Sequence, residues 1–211
     1  MAGGITFRQE PLPPGWIYPC TEEDIRRGLD RLPYKDYSGV TAIKMVPVNP
    51  GNRFAYATYY GSGAVVEIPA VRNSMTFKFD RHATRGRLIA LCSIEIAYGM
   101  EIEGVGDRWV SHWTRESLCK YIAEHVLAHE VGHHVIHQKR KREGMKPCPG
   151  HDACEQIAEN YALRNNPVAG VVLTSIRYNK MRCHRWPTAV RRPRLAQQGR
   201  QLYPSQRGNY S

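Results

Sequence analysis

Between 121 and 137 the chain reads YIAEHVLAHEVGHHVIH, and the apolar residues Ala123, Leu127, Val131 and Val135 recur every four positions. That period places them on one face of a helix. The other side carries His129 and His133, one turn apart, with Glu130 beside them. The pattern predicts one continuous helix from Thr114 to about Lys139. Gly132 falls inside it, where glycine costs about 1 kcal/mol relative to alanine, so close packing against a neighbouring element is expected there. After the basic turn 139–144 (KRKREG) the stretch 155–162 (EQIAENYA) predicts a second helix, broken by Asn165, Asn166 and Pro167.

Upstream, residues 1–20 are rich in proline and glycine and read as an extended lead-in. Thr21 is a helix cap, Glu22, Glu23 and Asp24 suit a first turn, and Ile25, Leu29 and Leu32 share a side before Pro33 ends the helix. The segments 40–48 and 53–60 have strand character. Gly61, Ser62 and Gly63 predict a tight turn into a strand at 64–68, hence a hairpin in a small, largely antiparallel sheet. Residues 75–80 alternate like a strand, 87–98 fit a buried helix or strand, and 104–106 (GVG) reads as a loop.

The chemistry follows from the helix. Residues four apart lie one turn above each other, so His129 and His133 can present imidazoles to one metal ion. Two neutral imidazoles suit zinc, and the adjacent carboxylate of Glu130 can take a proton from a zinc-bound water. A candidate third ligand follows downstream, in the helical stretch 155–162 that begins with Glu155. His125 and His137 are expected to line the cleft or face solvent, and His134 to project away from the metal. The run Cys148, His151, Cys154 leaves open a second, structural zinc, against the plainer reading of a turn with reduced thiols.

An HExxH motif at 129–133, followed by a helix bearing E-x-x-A-E at 155–159, resembles the glutamate zincins, the group that includes the ImmA/IrrE-type peptidases. The resemblance covers about 114–162. It implies an α+β, zincin-like fold in which a small, mostly antiparallel sheet packs on a long catalytic helix, followed by a ligand helix. It also implies that His129, His133 and Glu155 bind zinc, that Glu130 is the general base of a metallopeptidase, that small Ala158 lets the two helices approach, and that Glu159 orients a ligand histidine. Some zincins take a third histidine instead, which makes His151 the rival of Glu155; Glu155 is favoured because its helix carries Ala158. Relatives often carry Asp or Asn where this chain has Glu159. Tyr161, His151 and Tyr178 are candidates to stabilise an oxyanion. An edge strand above the cleft receives substrate in that group, and 64–68 is the candidate here. The implied organisation is an extended segment at 1–20, a peptidase domain at 21–166 with an insertion at 70–113, and a basic tail at 167–211.

Composition changes this picture in one respect. The chain has 211 residues and a formal net charge of +11, and from Tyr161 to the end it contains no Asp or Glu. Arg182, Arg185, Arg191, Arg192 and Arg194 are the densest part of this arm, whose lack of apolar periodicity predicts disorder and whose charge suits phosphate backbones. Expected partners are therefore a protein or peptide substrate and, through the arm, nucleic acid or a nucleoprotein assembly. The competing reading is a non-catalytic zincin-fold binding protein, as in some phage assemblies. No apolar run approaches the roughly 18 residues of a membrane span, and the start resembles no secretory leader. A cytoplasmic location is expected, or a virion-associated one for a phage protein. If the arm works by neutralising phosphates, retention of the full chain on a polyanionic resin should fall steeply with rising salt; salt-insensitive retention would rule this out.

Overall fold

The structure is a computed structural model that describes residues 4–48, 56–79, 84, 86, 89, 92–106, 108–145 and 151–167, with the backbone alone for 151–153. Strands β1 (Thr6–Gln9) and β2 (Trp16–Ile17) precede helices α1 (Glu22–Asp30) and α2 (Tyr34–Tyr37). Then come β3 (Ala42–Val46), β4 (Thr58–Tyr60), β5 (Val65–Pro69), β6 (Val71–Arg72) and β7 (Thr76–Lys78). A short helix α3 (Ser93–Ala97) leads to β8 (Glu101–Val105) and β9 (Arg108–His112). The long helix follows as α4 (Arg115–Lys120), a π-wound turn π1 (Tyr121–Val126) and α5 (Leu127–Arg142), and α6 (His151–Asn165) is the last described helix. This is an α+β arrangement.

The principal sheet has the order β1-β3-β5-β4. β1, β3 and β5 run parallel, and β4 pairs antiparallel with β5. The predicted hairpin is therefore present, but the sheet that contains it is not largely antiparallel. A parallel pair needs a crossover, and α1 with α2 supplies the one between β1 and β3. Within the expected lead-in, β1 is an edge strand of this sheet and a turn at Gly15 leads into β2. β5 is bonded on both sides, so the segment proposed to receive a substrate strand lies in the interior; the edge beside the helices is β4. The antiparallel pairs β2–β6 and β7–β9–β8 form two smaller sheets. Residues 101–112 are thus a hairpin turning at Gly106, where a simple loop was expected. β8 is almost wholly exposed, so it lacks the apolar alternation that would mark it as a strand.

Two capping boxes start the helices where the sequence predicts. The Thr21 side chain accepts from the Asp24 amide while Asp24 accepts from the Thr21 amide, and Thr114 and Ser117 repeat the arrangement at α4. The core joins Ile25 and Leu29 of α1, Ile43, Val66 and Ile68 of the sheet, and Leu118, Ile122, Leu127 and Val131 of the long helix. Each such side chain stabilises the fold by about 1.5–3 kcal/mol when fully buried. The long helix is not uniformly α: the π-turn widens it just before the histidine pair. Among the described residues, no helix is long and apolar enough to cross a membrane.

α1 crosses the π-turn at very short range. A Cβ on Gly28 would lie 2.1 Å from the carbonyl oxygen of Ala123, a backbone atom that cannot swing aside. Gly28→Ala should therefore destabilise the protein by about 1–3 kcal/mol through overpacking, although alanine is the better helix former by about 1 kcal/mol. Urea denaturation reads the difference; an unchanged or raised midpoint would show that α1 can shift freely.

Candidate metal centre

Helices α5 and α6 meet where two small residues face each other. A Cβ on Gly132 would stand 2.8 Å from Cα of Ala158 and 3.1 Å from its carbonyl oxygen, so any larger residue would force the helices apart. Ala158 is itself fully buried. α6 is also tied at its far end, where Asn166 Nδ2 donates to the Glu124 carbonyl oxygen at 2.6 Å. These contacts bring the two carboxylates of α6 beside the histidines of α5.

Nε2 of His129 and Nε2 of His133 are 3.1 Å apart. Glu155 places Oε2 at 3.1 Å from the first and Oε1 at 3.2 Å from the second. The ligand atoms of His129, His133 and Glu155 all lie within 4.8 Å of one another, a geometry that could hold a metal ion. Imidazole nitrogens facing each other at this range either share one hydrogen in an N–H···N bond or, as two lone pairs, face a cation between them. The spacing also approaches the donor–donor separation of about 3.3 Å that follows from tetrahedral zinc–nitrogen bonds of about 2.0–2.1 Å. The three residues thus fit a metal. The sequence identified all three, and the side chain of the rival His151 lies outside the described residues.

Behind His129, Glu159 fills the place expected of it, with Oε2 3.0 Å from Nδ1. Accepting from Nδ1 leaves Nε2 to face the ligand position. The other oxygen of Glu159 is 3.3 Å from Nε2 of His125. His125 is buried within the π-turn, so it neither lines an open cleft nor faces solvent. His134 does project away from the ligand pair, but into protein: it is buried, and its Nδ1 is 2.9 Å from the Tyr59 hydroxyl on β4. Burial pushes the Tyr59 phenol up to about 12, so it remains a donor.

Tyr59 has a second role that its side chain does not reveal. Its main-chain amide donates to the carboxylate of Glu130, which is buried at the foot of β4. Burial raises the Glu130 pKa above the ordinary carboxylate range, while the charges of His129 and His133 lower it, that of Glu155 raises it, and the Tyr59 amide lowers it. A backbone donor has no residue signature, so this contact could not be read from the sequence.

Tyr161, a candidate oxyanion donor, instead directs its hydroxyl to Asp36 of α2 at 2.8 Å. Tyr178 and the arginines Arg182, Arg185, Arg191, Arg192 and Arg194 lie outside the described residues. Cys20, Cys92 and Cys119 take part in no disulfide. Cys154 departs from the expectation of reduced thiols: it is disulfide-bonded. A sulfur in a disulfide is not a thiolate ligand, which removes one donor from the Cys148, His151, Cys154 cluster. No family model matches the chain, and neither the curated proteins nor the solved structures contain a match.

Without metal, burial opposes charge on His129, but hydrogen bonds to Glu155 and Glu159 and the charge of Glu130 outweigh it and raise the pKa to about 10. Burial likewise opposes charge on Glu155, yet hydrogen bonds from His129 and His133 hold it well below its ordinary value. The raised group stabilises the fold fully below its unfolded value of 6.5 and loses this as pH rises through 10. The lowered group stabilises it above 4.5 and loses this as pH falls through its depressed folded value. With a chelator present, the urea midpoint should therefore decline from pH 6.5 towards 10 and again in acid; a flat alkaline limb would contradict the imidazolium at His129.

Proposed function

We propose that the chain is a zinc-dependent metallopeptidase whose ligands are His129, His133 and Glu155 and whose general base is Glu130. The observation that carries this reading is the convergence of both imidazoles with the Glu155 carboxylate while Glu130, on the same helix, lies buried next to them. The resemblance of the HExxH and E-x-x-A-E motifs to the glutamate zincins supports it. Zinc is the metal of choice because two imidazoles and one carboxylate make a three-ligand site with a position left for substrate or water. When bound, zinc supplies Lewis acidity, lowering the pKa of a water to roughly 7 and polarising a carbonyl.

The remaining chemistry belongs to the chain. Glu130 takes a proton from water and delivers it to the leaving amine, and its elevated proton affinity, caused by burial, suits both transfers. The Tyr59 amide aims that carboxylate, and Glu159 aims His129. β4 is the edge of its sheet, so an extended peptide could add alongside it, next to Glu130. The acid-free arm would hold the enzyme near nucleic acid, which makes nucleic-acid-associated proteins the substrate class to examine first.

A second reading, a zinc-stabilised module that binds nucleic acid or a nucleoprotein assembly without cleaving, is favoured by the arm alone. Metal analysis of purified protein, with cleavage of an unstructured protein substrate, separates the two. Glu130→Gln should retain zinc and lose about 10²–10⁴-fold in turnover, and Glu155→Ala should lose zinc. Undiminished cleavage by Glu130→Gln would dismiss the mechanism; a wild type that binds zinc and cleaves nothing would select the binding module.

A further inference from the structure

Away from the metal centre, two cysteines 99 positions apart in sequence meet where α1 begins. Cys20 immediately precedes the N-cap Thr21, and Cys119 is the penultimate residue of α4, just ahead of the π-turn. The Sγ of Cys20 lies 3.5 Å from the carbonyl oxygen of Cys119 and within hydrogen-bond reach of its sulfur. Two elements that are remote in the chain thus bring their thiols into contact.

The two thiols are not equivalent. Cys20 is 2 % exposed and belongs to the core that α1 shares with the long helix, whereas Cys119 is half-buried at its margin. A small oxidant dissolved in water therefore reaches Cys119 first. The proton is distributed in the same sense. Hydrogen bonding from Cys20 lowers the pKa of Cys119, and Arg27 helps, against burial and the charge and hydrogen bonding of Asp24. That bond to Cys119, together with burial, pushes the Cys20 thiol up. Asp24 is itself paired with Arg27, which offsets its repulsion of a neighbouring thiolate. The charge is thereby favoured on the accessible sulfur and the proton on the buried one, the division that an attacking thiol and its resolving partner need.

We propose that Cys20 and Cys119 are a reversible thiol–disulfide pair, oxidised by peroxides, whose disulfide staples the start of α1 to the long helix. The Cys119 thiolate attacks a peroxide oxygen and the O–O bond breaks; the departing oxygen takes a proton and leaves as water or an alcohol. Cys119 is then a sulfenic acid. The Cys20 sulfur attacks it, the S–O bond breaks, and the hydroxyl leaves as water with the Cys20 proton. The two thiols lose two electrons in all, and the peroxide gains them. A dithiol reductant reverses the step by exchange and becomes a cyclic disulfide. The sulfurs must close to about 2.05 Å, a movement that falls to the half-buried Cys119 side chain. The staple would clamp the crossing at which Gly28 meets the Ala123 carbonyl. Neither thiol belongs to the metal centre, so the pair is independent of zinc.

The test treats the full-length protein with hydrogen peroxide and maps its peptides by mass spectrometry without reduction. Cys20 and Cys119 should appear in one cross-linked pair, lighter by two hydrogens than the separate peptides, and dithiothreitol should release them. In Cys20→Ser the sulfenic acid has no resolving thiol, so Cys119 should gain a dimedone label that the wild type lacks. The cross-linked protein should also have a higher urea midpoint than the untreated one, because closing so long a loop restricts the unfolded chain. The wild-type map and midpoint decide the matter by themselves should the variant fail to fold. Thiols that do not react, Cys119 driven to a sulfinic acid while Cys20 stays reduced, or a cross-link that leaves the midpoint unraised would each overturn the proposal.

Discussion

Everything at the site depends on how closely α5 can lie against α6. With a hydrogen in place of a side chain at Gly132, the backbone of Ala158 comes directly onto the first helix. Helices separated by ordinary side chains pack 8–10 Å apart, and a glutamate reaches only a few ångströms from its own backbone. Glu155 and Glu159 touch both sides of His129 at 3.0–3.1 Å, contacts that a retreat of one methyl diameter would break. The glycine lowers helix propensity and in return allows the approach on which the ligand set depends.

That approach creates an electrostatic problem which the site resolves by pairing. Glu130, Glu155 and Glu159 bring negative charge into a region where burial disfavours it. Without metal, the imidazolium of His129 is shared between two of them, Glu155 and Glu159, whose hydrogen bonds raise its pKa. A divalent ion would take over this role and displace the proton, so metal affinity and pH are linked through one imidazole. Glu130 stands apart, with a main-chain amide and neighbouring imidazole charges but no ion pair among the described residues, and burial leaves it the higher proton affinity that the proposed base would use.

The sheet and the helix are coupled through Tyr59. Its hydroxyl meets His134 and its amide meets Glu130, so a single residue of an edge strand contacts two side chains one turn apart on α5. The opposite face of the helix is fixed by α1 crossing at Gly28 and by the aromatic stack of the π-turn. The histidine pair is thus held from three directions, which is what a site with little freedom to adjust needs.

The local pattern was enough to place the caps at Thr21 and Thr114, the helical spacing of His129 and His133 with Glu130, the β4–β5 hairpin, and the later helix with Glu155, Ala158 and Glu159 in register. These are properties of neighbours in the chain, where a period of 3.6 or 2 residues and a turn residue decide the outcome. Tertiary structure decided what depends on partners far away in sequence: the parallel pairing of β1, β3 and β5, the interior position of β5, the Tyr59 amide on Glu130, and the burial of His125 and His134. None of these has a composition signature. Strand order is chosen by which faces pack, a backbone donor is the same in every residue but proline, and the direction of a histidine at one position of a helix is set by whichever element covers that face.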